Sequence, residues 1–337
     1  MNNACEISGW GNVSVLQSLC RSPLLCHLVG VLSFTVIALN VMLWVSLIHI
    51  LALLLLLPFS WANQFVETQV NRCFSAWVST NEWWFRHMLG VCWDLDPQLQ
   101  SDFQQSHLLI ANHRSWVDVF LLLAQLNGRL RLPRVFMKSS LRWLPLIGSA
   151  TYIMGFPQVK RYSKEQIANK PHLAGKDLHT TRKACERFKR YPNNLLSFVE
   201  GTRFTAKKHQ HQQSPYQTLL KPRSGGIAYV LEALPGHFDH LVDFNLSYPQ
   251  ENCSFWDLLT GQLTCATVRA TKVPFPATFL QSDFHPAGKD KAAFFTWFNQ
   301  YWTEKDQRLL AQQQEACLLE SSQNGAINEC HDQNAEK

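Results

Sequence analysis

The chain has 337 residues, 46% of them hydrophobic, which is too long and too apolar for a disordered chain or a disulfide-stapled mini-protein. Lys+Arg number 31 against 25 Asp+Glu, a formal net charge of +6; without a long basic run this excludes nucleic acid as an expected partner and suits an anionic membrane surface or phosphate-bearing substrates. The ten cysteines form no C-x-x-C pair and no zinc spacing, so they read as reduced cytosolic thiols, and no metal is expected.

From the N-terminus, the first element is an uncharged stretch. No Asp, Glu, Lys or Arg lies between Arg21 and Glu67, and the densest apolar part, Leu28 to Leu57, ends in five consecutive leucines. About 20 apolar residues cross a bilayer as a helix, so residues 1–65 predict an N-terminal membrane anchor. A cleavable signal peptide fits poorly, because its apolar core runs to only about 7–15 residues and here Trp61 and Phe65 follow. Trp44, Phe59 and Trp61 suit membrane interfaces. One spanning helix and a hairpin dipping into one leaflet both fit, with Asn40 and Ser46 as the positions where a hairpin would turn. A helix buried in a protein core is the plainer alternative. Arg21 before the segment and Arg72 and Arg86 after it leave the orientation open.

Residues 66–320 read as a globular domain. Strand-like runs occur at 107–111, 195–199 and 241–248, with helical stretches at 117–126, 177–190 and 226–233. That alternation predicts an α/β fold with a mostly parallel sheet flanked by helices. A further strand at 264–273 alternates in polarity and suits a sheet edge. Residues 291–319 predict one long helix with Phe294, Phe298, Tyr301, Trp302 and Leu309 on one face, packed on the domain or touching lipid. Residues 321–337 read as a polar disordered tail.

Four segments carry candidate chemistry. The first is Asn112-His113-Arg114-Ser115-Trp116-Val117-Asp118. Residues at the carboxyl end of a strand face the crevice where α/β proteins place ligands. On a continuous helix His113 and Asp118 would sit about 140° apart. They can therefore meet only if His113 lies in the turn and Asp118 in the first helical turn. A carboxylate on one ring nitrogen fixes the tautomer and leaves the other nitrogen as a base. Ser115 and Asp118 also fit a capping box, which would explain both by helix initiation alone.

The second segment, Gly155-Phe156-Pro157-Gln158-Val159-Lys160-Arg161, places adjacent cations after a turn, able to hold a phosphate or forming a plain basic turn. The third, Glu200-Gly201-Thr202-Arg203, follows another apolar strand. Gly201 permits a tight turn whose backbone N–H groups can face an anion, and Arg203 offers bidentate phosphate recognition; a solvated Glu–Arg pair is the plainer alternative. The fourth, Lys221-Pro222-Arg223-Ser224-Gly225-Gly226, leads into a helix start. His209-Gln210-His211 lacks partner ligands and reads as a solvated loop. Neither nucleotide-binding glycine motif nor a G-x-S-x-G elbow is present.

Together, in this order, the four segments resemble the PlsC-type glycerolipid acyltransferases, the 1-acylglycerol-3-phosphate acyltransferase family. Its Asn-His-x4-Asp motif is matched by Asn112, His113 and Asp118, its Gly…Arg motif by Gly155 and Arg161, its Glu-Gly-Thr/Ser-Arg motif by Glu200 to Arg203, and its proline motif by Pro222. Asn112-His113-Arg114, Lys160-Arg161, Glu200 to Thr205 and Lys221-Pro222-Arg223 are most similar to a subgroup holding lysocardiolipin-type enzymes and a bacterial inner-membrane branch. Val199 stands where many members have Pro, and Lys160 where many have Asp, which bears on head-group preference.

The resemblance implies a membrane-bound acyltransferase, without cofactor or metal. It would move a fatty acyl group from acyl-CoA or acyl-carrier protein to the free hydroxyl of a lysophospholipid, first of all 1-acylglycerol-3-phosphate. His113 would be the base and Asp118 its orienting partner. Glu200, Gly201, Thr202, Arg203 and Arg161 would bind the acceptor phosphate, supported by Asn112, Gly155, Lys160, Pro222 and Arg223. The globular domain would face the cytosol from the inner membrane. Three alternatives stand beside this reading: a different lysophospholipid acceptor such as lysocardiolipin or lysophosphatidylglycerol; an inactive, membrane-anchored lipid-binding protein; and a metal hydrolase built on His107 and His113.

Overall fold

The strand–helix alternation closes around a six-stranded sheet in a computed structural model that describes residues 16, 22–138, 143–159, 192–238, 240–249 and 253–335, with side chains described to residue 314. The strands are β1 (Cys92–Asp94), β2 (Leu108–Ala111), β3 (Arg134–Val135), β6 (Leu195–Phe198), β7 (His240–Ser247) and β8 (Cys265–Pro274), ordered β1-β8-β7-β2-β6-β3. A separate pair joins β4 (Met137–Lys138) and β5 (Gln158–Val159). In the large sheet β1/β8, β2/β7, β2/β6 and β3/β6 run parallel, and β7/β8 runs antiparallel. The mostly parallel sheet flanked by helices is thus the observed fold. The 264–273 run sits between β1 and β7 rather than at the rim. β1 covers only Cys265 to Thr267 of it, so the strand's second half does act as an edge.

β2 is central and buried at all four residues, as expected of a strand covered on both faces. Its pleat divides the core in two. Leu109 and Ala111, with Val242, Phe244 and Leu246 of β7, join one apolar cluster with α3 (Val117–Leu126) and α7 (Phe255–Leu259). Leu108 and Ile110, with Leu195 and Leu241, join the other with α6 (Gly225–Ala233) and α8 (Lys291–Ala335). Phe294, Phe298, Tyr301, Trp302 and Leu309 are all buried in this second cluster, so that face of α8 is spent on the domain and not on lipid. The helical path of α8 continues to Ala335 through residues read as a tail; that stretch contains no proline to stop it. The predicted helix at 177–190 lies outside the described residues.

The uncharged N-terminal stretch forms α1 (Pro23–Ala52), opened by Ser22, whose side chain accepts from the Leu25 N–H. With the 3-10 turn Leu53–Leu56 it is the one helix among the described residues long and apolar enough to cross a membrane. It does not turn at Asn40 or Ser46. The reversal comes at Leu53–Phe59, where Pro58 cannot continue a helix, and α2 (Ser60–Trp83) then runs back along α1. Asn40 serves the hairpin differently: its amide donates to Trp77 O (3.3 Å) and Asn81 Oδ1 (3.0 Å) across the two helices. A boundary at residue 65 therefore falls inside α2.

Cys26, Val29, Gly30, Ser33, Ile37, Asn40 and Ile48 are buried, a stripe at helical spacing along the whole of α1. Gly30 lies beneath the Trp256 ring of α7, where a Cβ would stand 2.7 Å from the indole and 2.9 Å from Thr260 Cγ2. At its far end His49 Nε2 meets Ser149 Oγ at 2.7 Å, on α4 (Ile147–Ile153). The opposite face of α1 is exposed and apolar, with Leu24, Leu28, Leu32, Leu39, Leu43 and Ile50 outward. Gly30→Leu should force α1 off α7 and destabilise the protein by about 1–3 kcal/mol, read as a lower thermal midpoint in detergent.

Candidate active site

The site is built where β2 stops. Asn112 is buried and bonds the backbone of Leu246 twice, Nδ2 donating to its carbonyl at 2.9 Å and Oδ1 accepting from its N–H at 2.8 Å. The side-chain amide thus prolongs the β2/β7 ladder by one rung and lets the chain leave the sheet at His113. The turn 113–116 leads straight into α3, with Asp118 at its second position and fully buried.

His113 Nδ1 lies 2.7 Å from Asp118 Oδ2. The same oxygen accepts from the backbone N–H of Arg114 (2.7 Å) and Ser115 (3.0 Å). The other, Oδ1, accepts from the Tyr248 hydroxyl at 2.5 Å. Four donors therefore surround one buried carboxylate, the arrangement that lets an anion persist out of water. Ser115 Oγ meanwhile accepts from the Val117 N–H at 3.2 Å. The helix itself starts after Trp116 without a side-chain cap, so the capping box is only half formed: Asp118 receives the Ser115 N–H, but Ser115 Oγ does not receive that of Asp118. The Phe198 ring stacks on the imidazole, centroids 4.2 Å apart. With Nδ1 bonded to a carboxylate, Nε2 is the nitrogen that can accept a proton.

The third segment locks onto the first. Glu200 is buried, its Oε1 accepting from the His113 N–H at 2.8 Å and its Oε2 from the Leu220 N–H at 2.9 Å. Burial pushes its pKa up to about 7, against the pull of those two N–H groups. Glu200 therefore braces the histidine turn instead of presenting its charge at a phosphate, which corrects the expectation for that residue. Gly201 has φ +68°, and a Cβ there would stand 2.9 Å from Arg223 Cδ, so both backbone and space demand glycine. The Phe204 N–H donates to His113 O at 2.7 Å, and the Arg223 N–H to Val199 O at 2.7 Å. Lys208 Nζ donates to Thr202 Oγ1 (2.8 Å) and Arg203 O (2.9 Å).

Arg203 lies over the Trp116 ring at 5.1 Å and Arg114 over the Phe204 ring at 5.2 Å. Trp116 and Arg203 are both exposed, so a guanidinium sits on the rim, clear of the buried carboxylates. The structure thus gathers Asn112, His113, Asp118, Glu200, Gly201, Thr202, Arg203, Pro222 and Arg223 around the carboxyl ends of β2 and β6. Gly155, at φ +79°, turns the chain into β5, which pairs with β4. Lys160 and Arg161 lie outside the described residues.

Tyr248 was not singled out from the sequence. Its signal was present: it ends the strand next to β2, and strand carboxyl ends are where α/β sheets gather functional groups. Burial and the neighbouring Asp118 hold its hydroxyl protonated, well above the usual tyrosine range. The His209–His211 segment is helical, in α5 (Ala206–Gln212), with His209 Nε2 2.6 Å from Tyr216 O. His107 and His113 bracket opposite ends of β2 and meet different carboxylates, Asp102 at 3.3 Å and Asp118. Among the described residues no group of three His, Cys, Asp or Glu is placed to hold a metal.

Residues 97–241 match the family model described as Acyltransferase, a span holding every site residue from Asn112 to Arg223. The chain is 25% identical over 312 residues to the 1-acyl-sn-glycerol-3-phosphate acyltransferase delta of Bos taurus, covering 86% of this chain and 74% of that protein. It is 27% identical over 218 residues to lysocardiolipin acyltransferase 1 of Gallus gallus, covering 60% and 52%. The crystal structure of the 1-acyl-sn-glycerophosphate acyltransferase PlsC from Thermotoga maritima aligns with a TM-score of 0.49 at 11% identity, over 77% of this chain and 90% of that one.

Glu200 supplies a pH test. Its pKa rises from 4.5 to about 7 on folding, so the folded protein holds that proton more tightly than the unfolded chain. The stabilisation is complete below pH 4.5 and is withdrawn as the pH climbs to about 7. Measured against Glu200→Gln by thermal unfolding, the wild type should lose about 3 kcal/mol of relative stability across that window.

Proposed function

We propose that the chain, whose residues 97–241 match the family model described as Acyltransferase, esterifies the free hydroxyl of a lysophospholipid, foremost 1-acylglycerol-3-phosphate. The donor in this reading is a thioester, acyl-CoA or acyl-carrier protein. The supporting observation is the His113–Asp118 contact of 2.7 Å at the end of β2, beside the exposed Arg203.

His113 Nε2 takes the proton of the acceptor hydroxyl as its oxygen attacks the thioester carbonyl carbon. Asp118 holds the ring and stabilises the imidazolium that forms. Collapse of the tetrahedral intermediate breaks the C–S bond, and the imidazolium proton goes to the departing sulfur. No covalent acyl-enzyme is needed, and no cofactor beyond the thioester. Arg203, with the backbone at Gly201 and Thr202 and with Arg161, binds the acceptor's phosphate, while Glu200 fixes the His113 turn. Pro222 and Arg223 support this loop. Positioning two lipid-like substrates supplies much of the remaining acceleration.

Both acceptor and product live in a membrane, and the exposed apolar face of α1 supports attachment there. α1 is packed along its length on the domain, and its partner α2 carries Glu67, Arg72 and Glu82. A spanning orientation would drag those charges into hydrocarbon. In our reading α1 therefore lies along one leaflet of the inner membrane, with the catalytic domain in the cytosol, where thioester donors are found.

The test is transfer of a radiolabelled acyl group to lysophosphatidate, lysophosphatidylglycerol and lysocardiolipin by purified protein in detergent. His113→Ala should lower turnover by about 10²–10⁴-fold with an unchanged circular dichroism spectrum; full activity in that variant removes the reading, and lysolipid binding without turnover in the wild type favours a lipid-binding protein. Tyr248→Phe removes one donor to a buried carboxylate and should lower kcat about tenfold with little change in KM.

A further inference from the structure

We propose that the loop Trp143–Ile147, together with the helix α4 that it opens, is a second lipid-inserting element that dips into the same leaflet as the outer face of α1. The inference rests on the membrane attachment of α1 proposed above. Trp143 is 77% exposed and Tyr152 64%, and Leu144, Leu146 and Ile147 between them are also exposed. These five large side chains, all exposed within ten residues, form a contiguous apolar patch of the kind that marks an interaction surface.

Sequence composition identifies the partner. No charged residue occurs from Trp143 to Val159, while Arg142 precedes the run and Lys160 and Arg161 follow it. An apolar tip flanked by cations is the composition of a segment seated at the boundary between acyl chains and anionic headgroups.

The loop is also held outward. Leu146 has φ 62°, a region unfavourable for a bulky side chain. The Ile147 N–H donates to Pro145 O at 2.7 Å, closing a γ-turn of the strained kind around it. The Gly148 N–H donates to Leu144 O at 2.8 Å and the Ala150 N–H to Leu146 O at 3.0 Å, fixing the loop to the first turn of α4. On the inner side Ala150 is buried with Ile48, Val66, Val70 and Cys73, and Ile153 and Met154 pack against them.

That anchorage makes the patch continuous with α1. His49 and Ser149 touch side by side, next to the outward Ile50, Leu53, Leu55, Leu56 and Leu57 of the α1 turn. The loop and the end of α1 therefore present one uncharged surface. A lipid leaflet, unlike a protein partner or a second copy, accepts such a surface without complementary shape.

The experiment places the photo-crosslinker benzoylphenylalanine at Trp143, at Leu32 on the outer face of α1, or at His211 on the exposed surface of α5, in the full chain reconstituted into vesicles of phosphatidylcholine and phosphatidylglycerol. After irradiation, lipid adducts are quantified by mass spectrometry. The expected yield at residue 143 is comparable to that at residue 32 and about tenfold or more above that at residue 211. A yield at 143 no higher than at 211, while 32 labels lipid, overturns the proposal and leaves the attachment of α1 standing. A protein–protein adduct at 143 in place of lipid overturns it in favour of a protein interface. Absence of lipid adducts at 32 as well overturns both.

Discussion

The Asp118 carboxylate is the point on which the site depends. A charge taken out of water this completely needs every lone pair engaged, and its four donors come from two parts of the chain. The backbone of Arg114 and Ser115 and the ring of His113 belong to its own turn, and the Tyr248 hydroxyl comes from the end of β7. Satisfying the anion and orienting the imidazole are thus one requirement. The tight turn brings His113 and Asp118 together, and β7 closes the cage because it pairs with β2 in parallel register.

A second buried carboxyl, Glu200, ties the His113 turn to the Leu220 backbone one strand away, and it is carried from behind by α8. Asp306 accepts from the Gln217 and Thr218 N–H groups at 2.7 and 2.8 Å. The Trp302 indole donates to Leu220 O at 3.0 Å, in the residue whose N–H meets Glu200. One turn away, Lys305 is fully buried and donates to Asp243 Oδ1, Phe244 O and Asn245 Oδ1 on β7. α8 therefore grips both the 217–220 loop and the strand that leads to Tyr248. Removing the Asp243 carboxylate would strand the Lys305 ammonium in the core, which makes this helix a structural back wall for the His113 turn.

What the sequence made legible divides along chain distance. His113 and Asp118 are five residues apart, so helix geometry states the one condition under which they can meet, a turn at His113 before the helix begins. The strands around them were readable because covered parallel strands are continuous apolar runs. Glu200 bonds across 87 residues and Tyr248 across 130, and no local periodicity encodes such a meeting. The family resemblance places Glu200 at the phosphate, and the residues alone also allow a solvated Glu–Arg pair, whereas its side chain turns in. Asn40 was misread for a similar reason. A polar residue inside an apolar helix signals either a break or a partner, and only the antiparallel return of α2 reveals that Asn81 is the partner.

Exposed and buried residues on α1 then tie position to chemistry. Its buried stripe is laid against α7, α2 and α4 in turn, and α7 and α2 pack into the same apolar cluster as α3, the helix that carries Asp118. A helix held at so many points cannot tilt independently of the site. Whatever surface receives its outer face also fixes the height of the exposed Arg203, which lies over Trp116. An acceptor whose phosphate sits at a headgroup plane and whose acyl chain stays below it would then meet the imidazole at a depth set by the fold. The same packing that buries Gly30 under Trp256 ties this apolar N-terminal helix to the cluster that also holds α3.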